Sequence, residues 1–260
     1  MIPLSIRFGD DEYIDGVTIT REQFYAKLME SDVTPCTSQA TPDQFTTVFR
    51  EAVDVNDEVV AITLSQKLSG TYQSACIAAE EFSGKVFVVD SETATVGAGI
   101  LAELALSLAE SGEMSAADIA TELTKERENI HLVALLDTLE YLKRGGRISK
   151  TVAFVGGLLS VKPVISLAAG ELKLLGKARG SKQGNNLLVK EIENAGGVDF
   201  TKPVLLGYSG ISAELLQKYI EDSASLWQNN IPDLDISNVG SVIGTHVGPG
   251  AIAAAFFKKS

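Results

Sequence analysis

Apolar and polar residues alternate from Met1 to Phe8, with Ile2, Leu4, Ile6 and Phe8 on one side, which predicts a strand with one buried face. Gly9-Asp10-Asp11-Glu12 then turns the chain toward Tyr13-Ile14. A helical period starts near Thr20, where Thr20 and Gln23 have capping-box spacing and Phe24, Leu28 and Met29 make an apolar face. Asp32 to Ala40 reads as loop, because Pro35 pushes Thr34 away from helical dihedrals. Thr41-Pro42-Asp43-Gln44 opens a second helix with Phe45, Val48, Phe49 and Ala52 on its stripe. Strand-like runs at Glu58–Leu64, Lys85–Val89 and His131–Leu136 then alternate with helical patterns over 71–82, 95–109 and 115–128. That rhythm predicts a mostly parallel sheet covered on both faces, an α/β/α sandwich.

After Leu136 the rhythm changes. Thr138 to Ser149 reads as a short helix stopped by Gly145-Gly146, and Thr151 to Ser160 as an apolar helix. Lys162 to Arg179 predicts two strands joined at Ala169-Gly170. A helix over 182–195, a strand over 203–208 and a helix over 213–227 follow. Ser237 to Gly244 reads as strand, and Pro249 to Phe257 as a final helix. The predicted fold is therefore α/β with two lobes. Residues 1–145 form the mostly parallel sandwich, and residues 146–260 form an α+β lobe with an antiparallel sheet.

Bulk properties narrow the function. The chain has 260 residues, 45% of them hydrophobic, enough to bury a large core. A formal net charge of −12 leaves little from which to build a basic face for nucleic acid. Two cysteines, Cys36 and Cys76, and two histidines, His131 and His246, argue against a disulfide framework and against a zinc site. No secretory leader or membrane span is legible, so a cytoplasmic protein without stable membrane insertion is expected.

Four segments carry candidate chemistry. Leu64 to Ala75 joins a strand to a helix, where Ser69 offers a hydroxyl, Gly70 permits close approach and the helix start suits an anion; Ser69 is equally suited to capping that helix. Thr37 and Ser38 are adjacent hydroxyls before a capped helix. His246 lies among glycines in Gly244 to Gly250, after an expected strand and before the expected final helix. Arg147, in Lys143 to Ser149, either faces an anion or neutralises the end of the preceding helix.

Taken together, PLSIRFGDDEYIDG, TPCTSQATP, LSQKLSGTYQSA, VVDSETATVGAG, YLKRGGRIS, LLSVKPVI and THVGPG resemble the DegV family along essentially the whole chain. Its members include the fatty-acid-binding subunits of bacterial fatty acid kinase. The resemblance implies a non-catalytic carrier with a long-chain fatty acid between its lobes, no cofactor and no metal. A separate fatty acid kinase would phosphorylate the carboxylate for phospholipid synthesis. It puts Thr37, Ser69, Gly70 and His246 at the carboxylate, with Ser38, Thr71 and Arg147 near the head group or facing the kinase. Two departures stand out: family members usually carry a strand and a D-S-T loop ahead of PLS, and Cys36 stands where Thr often precedes TSQ. Two rival readings use the same residues. One is a serine hydrolase with Ser69 and His246, although the G-x-S-x-G elbow is lacking. The other is a phosphorylated-metabolite binder, although no phosphate-loop motif is present.

Overall fold

In a computed structural model, which describes residues 1–55, 57–148, 161–227 and 234–259, the first alternating run forms strand β1 (Ser5–Phe8). It pairs antiparallel with β2 (Asp11–Ile14) on one side and with β3 (Cys36–Ser38) on the other. The segment read as loop from Asp32 to Ala40 thus contributes three strand residues, because the second edge of β1 offers backbone groups that need partners. Register sets Ile6 opposite Thr37 and Arg7 opposite Cys36.

Helix starts follow the local signals. Capping boxes close the starts of α1 (Arg21–Glu30) at Thr20 and Gln23, and of α2 (Pro42–Asp54) at Thr41 and Gln44. The parallel strands β4 (Val59–Thr63) and β5 (Val86–Asp90) are joined through α3 (Thr71–Ala79) and followed by α4 (Val96–Ser111). A third box, Ser115 with Asp118, starts α5 (Ala116–Glu126).

The broad parallel sheet anticipated for the first 145 residues is not formed. Among the described residues its parallel pairing is confined to β4 and β5, and β6 (Ile130–Leu135) joins another sheet. The reason is that β6 is apolar on both faces and finds wider partners later in the chain. After the short α6 (Glu140–Arg144) come β7 (Val161–Ala168) and β8 (Glu171–Arg179), a hairpin turning at Ala169 and Gly170 with φ of +49° and +76°. Next are α7 (Ser181–Asn194), β9 (Leu205–Tyr208), α8 (Glu214–Asp222), α9 (Ala224–Trp227) and β10 (Ile236–Asn238). Last come α10 (Ser241–Val247) and β11 (Ile252–Phe257). The six-stranded sheet runs β10-β9-β11-β6-β7-β8, antiparallel except for β9 with β10.

Two predicted elements at the C-terminus are corrected. The run read as strand from Ser237 to Gly244 stops at Asn238 and becomes α10, so His246 sits in a last helical turn. Pro249 to Phe257, read as helix, contains β11, a central strand buried on both sides. Ile252, Ala254 and Phe256 pack with Leu188, Leu216 and Trp227 on one face, while Ala253, Ala255 and Phe257 join Leu132 and Leu101 on the other. A continuous apolar run has no period that separates helix from strand, and burial between two layers overrides alanine's helix preference. The helix predicted over 151–160 lies outside the described residues.

Candidate functional site

The face of the six-stranded sheet turned toward α4 carries a lateral row of small residues. Register aligns Ile165 with Ala134, Ala134 with Ala253, and Ala253 with Gly207. Minimal side chains in the middle of that row leave a trough, and Leu132, Leu167 and Leu172 wall it. The resulting cavity has a volume of about 400 Å³. Its lining is overwhelmingly apolar, and among the described residues it contains no carboxylate.

The polar lining residues include Thr37, Ser38, Gln39, Ser69, Thr95, Arg147 and His246. They come from β3, from the loop between β4 and α3, from the start of α4, from the loop after α6 and from α10. Thr37 Oγ1 and His246 Nε2 form a hydrogen bond of 3.0 Å across 209 residues of sequence. His246 Nδ1 is buried without a partner among the described residues, and Gly145 packs so closely on it that a Cβ there would overlap the ring. Burial first, and the nearby Arg147 cation second, push the His246 pKa down to about 4, so the ring is neutral at pH 7. In the tautomer that leaves Nδ1 without a hydrogen, Nε2–H donates to Thr37 Oγ1. The Thr37 hydroxyl hydrogen is then free to be donated into the cavity.

Ser69 is held differently. Its Oγ lies 2.9 Å from Thr71 Oγ1 and accepts from the Thr71 N–H at 3.3 Å. Gly70, not Ser69, occupies the cap position of α3. Gly70 and Thr71 stand behind the lining, with Gly70 pressed against the Gln39 side chain so that any Cβ would collide. Gln39 in turn donates to Ser74 Oγ at 2.9 Å, tying β3 to α3. Arg147 donates through Nε to Leu68 O at 3.2 Å and through Nη1 to Gly145 O at 2.5 Å. Its charge makes no ion pair among the described residues.

Ser69 and His246 share no hydrogen bond, and among the described residues no carboxylate orients His246 Nδ1. The relay that a nucleophilic serine requires is not assembled among these residues. Among the described residues no cluster of three or more His, Cys, Asp or Glu is placed to hold a metal ion, and no helix is long and apolar enough to cross a membrane.

Gln39 and Thr95 line the cavity without having been singled out from sequence. Thr95 has φ of +48°, a strained conformation for a β-branched residue that costs about 1–3 kcal/mol and recurs at ligand sites. Local sequence carries no signal for it beyond its place after a strand. The cavity's small floor residues were equally silent, because alanine is unremarkable until register aligns it.

A mixed α/β protein with an apolar cavity and a hydroxyl–imidazole–guanidinium end is the class that fold and site define. The DegV family model, described as "Uncharacterised protein, DegV family", matches residues 1–259. The chain belongs to the DegV family. It is 36% identical to a DegV domain-containing protein of Caldanaerobacter subterraneus subsp. tengcongensis, over 100% of this chain and 91% of that one. Its fold is similar to a Thermus thermophilus DegV family protein whose structure is described as fatty acid binding, with a TM-score of 0.87, 32% identity and coverage of 99% and 91%. It is also similar to a stearic acid-binding protein of Eubacterium ventriosum, with a TM-score of 0.82, 26% identity and coverage of 99% and 90%.

Proposed function

We propose that this chain binds one long-chain fatty acid, tail in the cavity and carboxylate at Thr37, Ser69 and His246, and presents it to a separate fatty acid kinase. The observation that carries this reading is an apolar cavity whose described lining offers hydroxyls, a neutral imidazole and the Arg147 guanidinium, with no acidic group and no ion pair to Arg147 among the described residues. Burying about fifteen methylenes at roughly 0.8 kcal/mol each offers on the order of 12 kcal/mol as an upper bound. Each charge-assisted hydrogen bond to the carboxylate adds about 1.5–3 kcal/mol. The tail thus drives affinity and the head group sets direction. The relatives described as binding fatty acids support the ligand class. Chemistry on the carboxylate is assigned to the kinase because no base is hydrogen-bonded to Ser69 among the described residues. Two lobes, 1–145 and 146–260, belong to the same proposal, the first lending β6 to the sheet of the second.

Organic extraction of purified protein followed by mass spectrometry tests the ligand. Stoichiometric C14–C20 fatty acid is the expected result, whereas a nucleotide or phosphorylated metabolite with no lipid overturns the reading. Acyl-phosphate formation by an added fatty acid kinase tests the presentation step.

A further inference from the structure

His246 sits in the last turn of α10, a seven-residue helix whose cap, Gly240, supplies no side-chain hydrogen bond. So short a helix is not self-supporting, and its first N–H groups need outside acceptors. Both come from one side chain far away in sequence. Asp15 Oδ1 accepts from Ser241 N at 3.0 Å, and Asp15 Oδ2 accepts from Val242 N at 3.3 Å. Gly240 lies so close that an added Cβ would come within 2.9 Å of Asp15 Oδ2. Negative charge at a helix start also suits the backbone dipole.

Asp15 is itself tied to the sheet that carries Thr37. It follows β2 directly, and its N–H donates to Leu4 O at 3.0 Å, one residue before β1. The neighbouring β3 then places Thr37 opposite Ile6. Tyr25 OH, donating to Val239 O at 3.0 Å, holds the same corner. Thr37 and His246 are therefore referenced to one small sheet, one directly and the other through a carboxylate.

We infer that Asp15 is a positioning residue for the head-group site: by capping α10 it fixes the axial position of His246 and so maintains the Thr37–His246 hydrogen bond. The inference rests on the fatty-acid reading above. Asp15 does not itself line the cavity. The helix it caps, α10, brings His246 to the polar end and Val242, Ile243 and Val247 to the apolar wall, so the effect falls more heavily on the carboxylate than on the tail.

The test compares oleate with oleyl alcohol, which has the same tail and no charge, on the delipidated full chain. Asp15→Ala is expected to lower oleate affinity about tenfold and alcohol affinity by a clearly smaller factor. Asp15→Asn, which keeps one acceptor oxygen, is expected to fall between, and it decides the matter if Asp15→Ala fails to fold. The His246 ring, assigned by NMR through a His246→Gln control, is expected to titrate higher in either variant as it leaves its buried position beside Arg147. A folded variant with unchanged carboxylate preference and unchanged His246 titration overturns the inference, as does equal loss of both ligands. Failure of the unsubstituted protein to bind either ligand overturns the fatty-acid reading instead, and the His246 titration then judges Asp15 alone.

Discussion

At the residue scale, the site depends on which hydrogens are free to be donated. When His246 Nε2–H donates to Thr37 and Thr71 donates to Ser69, both the Thr37 and the Ser69 hydroxyl hydrogens are left for another acceptor. Thr37→Ala and Ser69→Ala should each weaken carboxylate binding by about 1.5–3 kcal/mol, roughly tenfold to a hundredfold, without altering urea stability much. Calorimetry with oleate checks this, and unchanged affinity in both variants refutes the head-group assignment. His246 makes a pH prediction. Its folded pKa of about 4 lies below the ordinary 6.5, so between those values the unfolded chain takes up a proton that the folded chain refuses. The His246 contribution to stability is therefore intact above pH 6.5 and declines as pH falls toward 4, by at most ~1.4 kcal/mol per pH unit. His131, also lowered by burial, acts in the same direction, so the measurement is a difference between the unsubstituted chain and His246→Gln. A flat difference across that window contradicts the assignment.

At the element scale, local signals were accurate where they closed on themselves. Thr20 and Thr41 announce their helices because each box is complete within four residues, and the box that the structure shows at Ser115 closes in the same way. Thr41→Ala should cost about 0.5–2 kcal/mol in urea unfolding and leave oleate affinity unchanged, since α2 does not line the cavity. A large loss of binding in this variant would mean that α2 reaches the site through β3. Where a helix start is completed from elsewhere, the signal vanishes. Ser241 to Gly244 is rich in β-branched residues and belongs to the run read as strand, yet it opens the helix Ser241–Val247, whose first N–H groups Asp15 caps from the other end of the chain. The alanine run in β11 fails in the opposite sense, its helix preference overridden by layers on both faces.

At the scale of the whole molecule, the cavity is walled by segments that distant contacts hold together. Lys67, two residues before Ser69, reaches Ala169 O and Glu171 at the β7–β8 turn, both at 3.0 Å. Arg147 meets Leu68 O, and His246 meets Thr37. A ligand that fills the cavity binds the folded chain and not the unfolded one, so it stabilises by mass action. Free oleate at a hundred times its Kd should add about 2.7 kcal/mol. Thermal unfolding of delipidated protein with and without oleate measures it, and an unchanged melting temperature at saturating ligand would argue that the lipid lies outside the fold.

What the sequence by itself determined was local or compositional. It settled the capping boxes, the Ala169-Gly170 turn, the apolar core and the acidic surface, together with the motifs that resemble one family. Tertiary structure alone decided that β6 and β11 lie side by side, that Ala134, Ala253 and Gly207 align into a trough, and that a helix carries His246 to Thr37. The physical reason is range. Caps and turns are satisfied within a few residues, whereas a cavity is space left between elements, and its shape exists only once register and packing have brought those elements together.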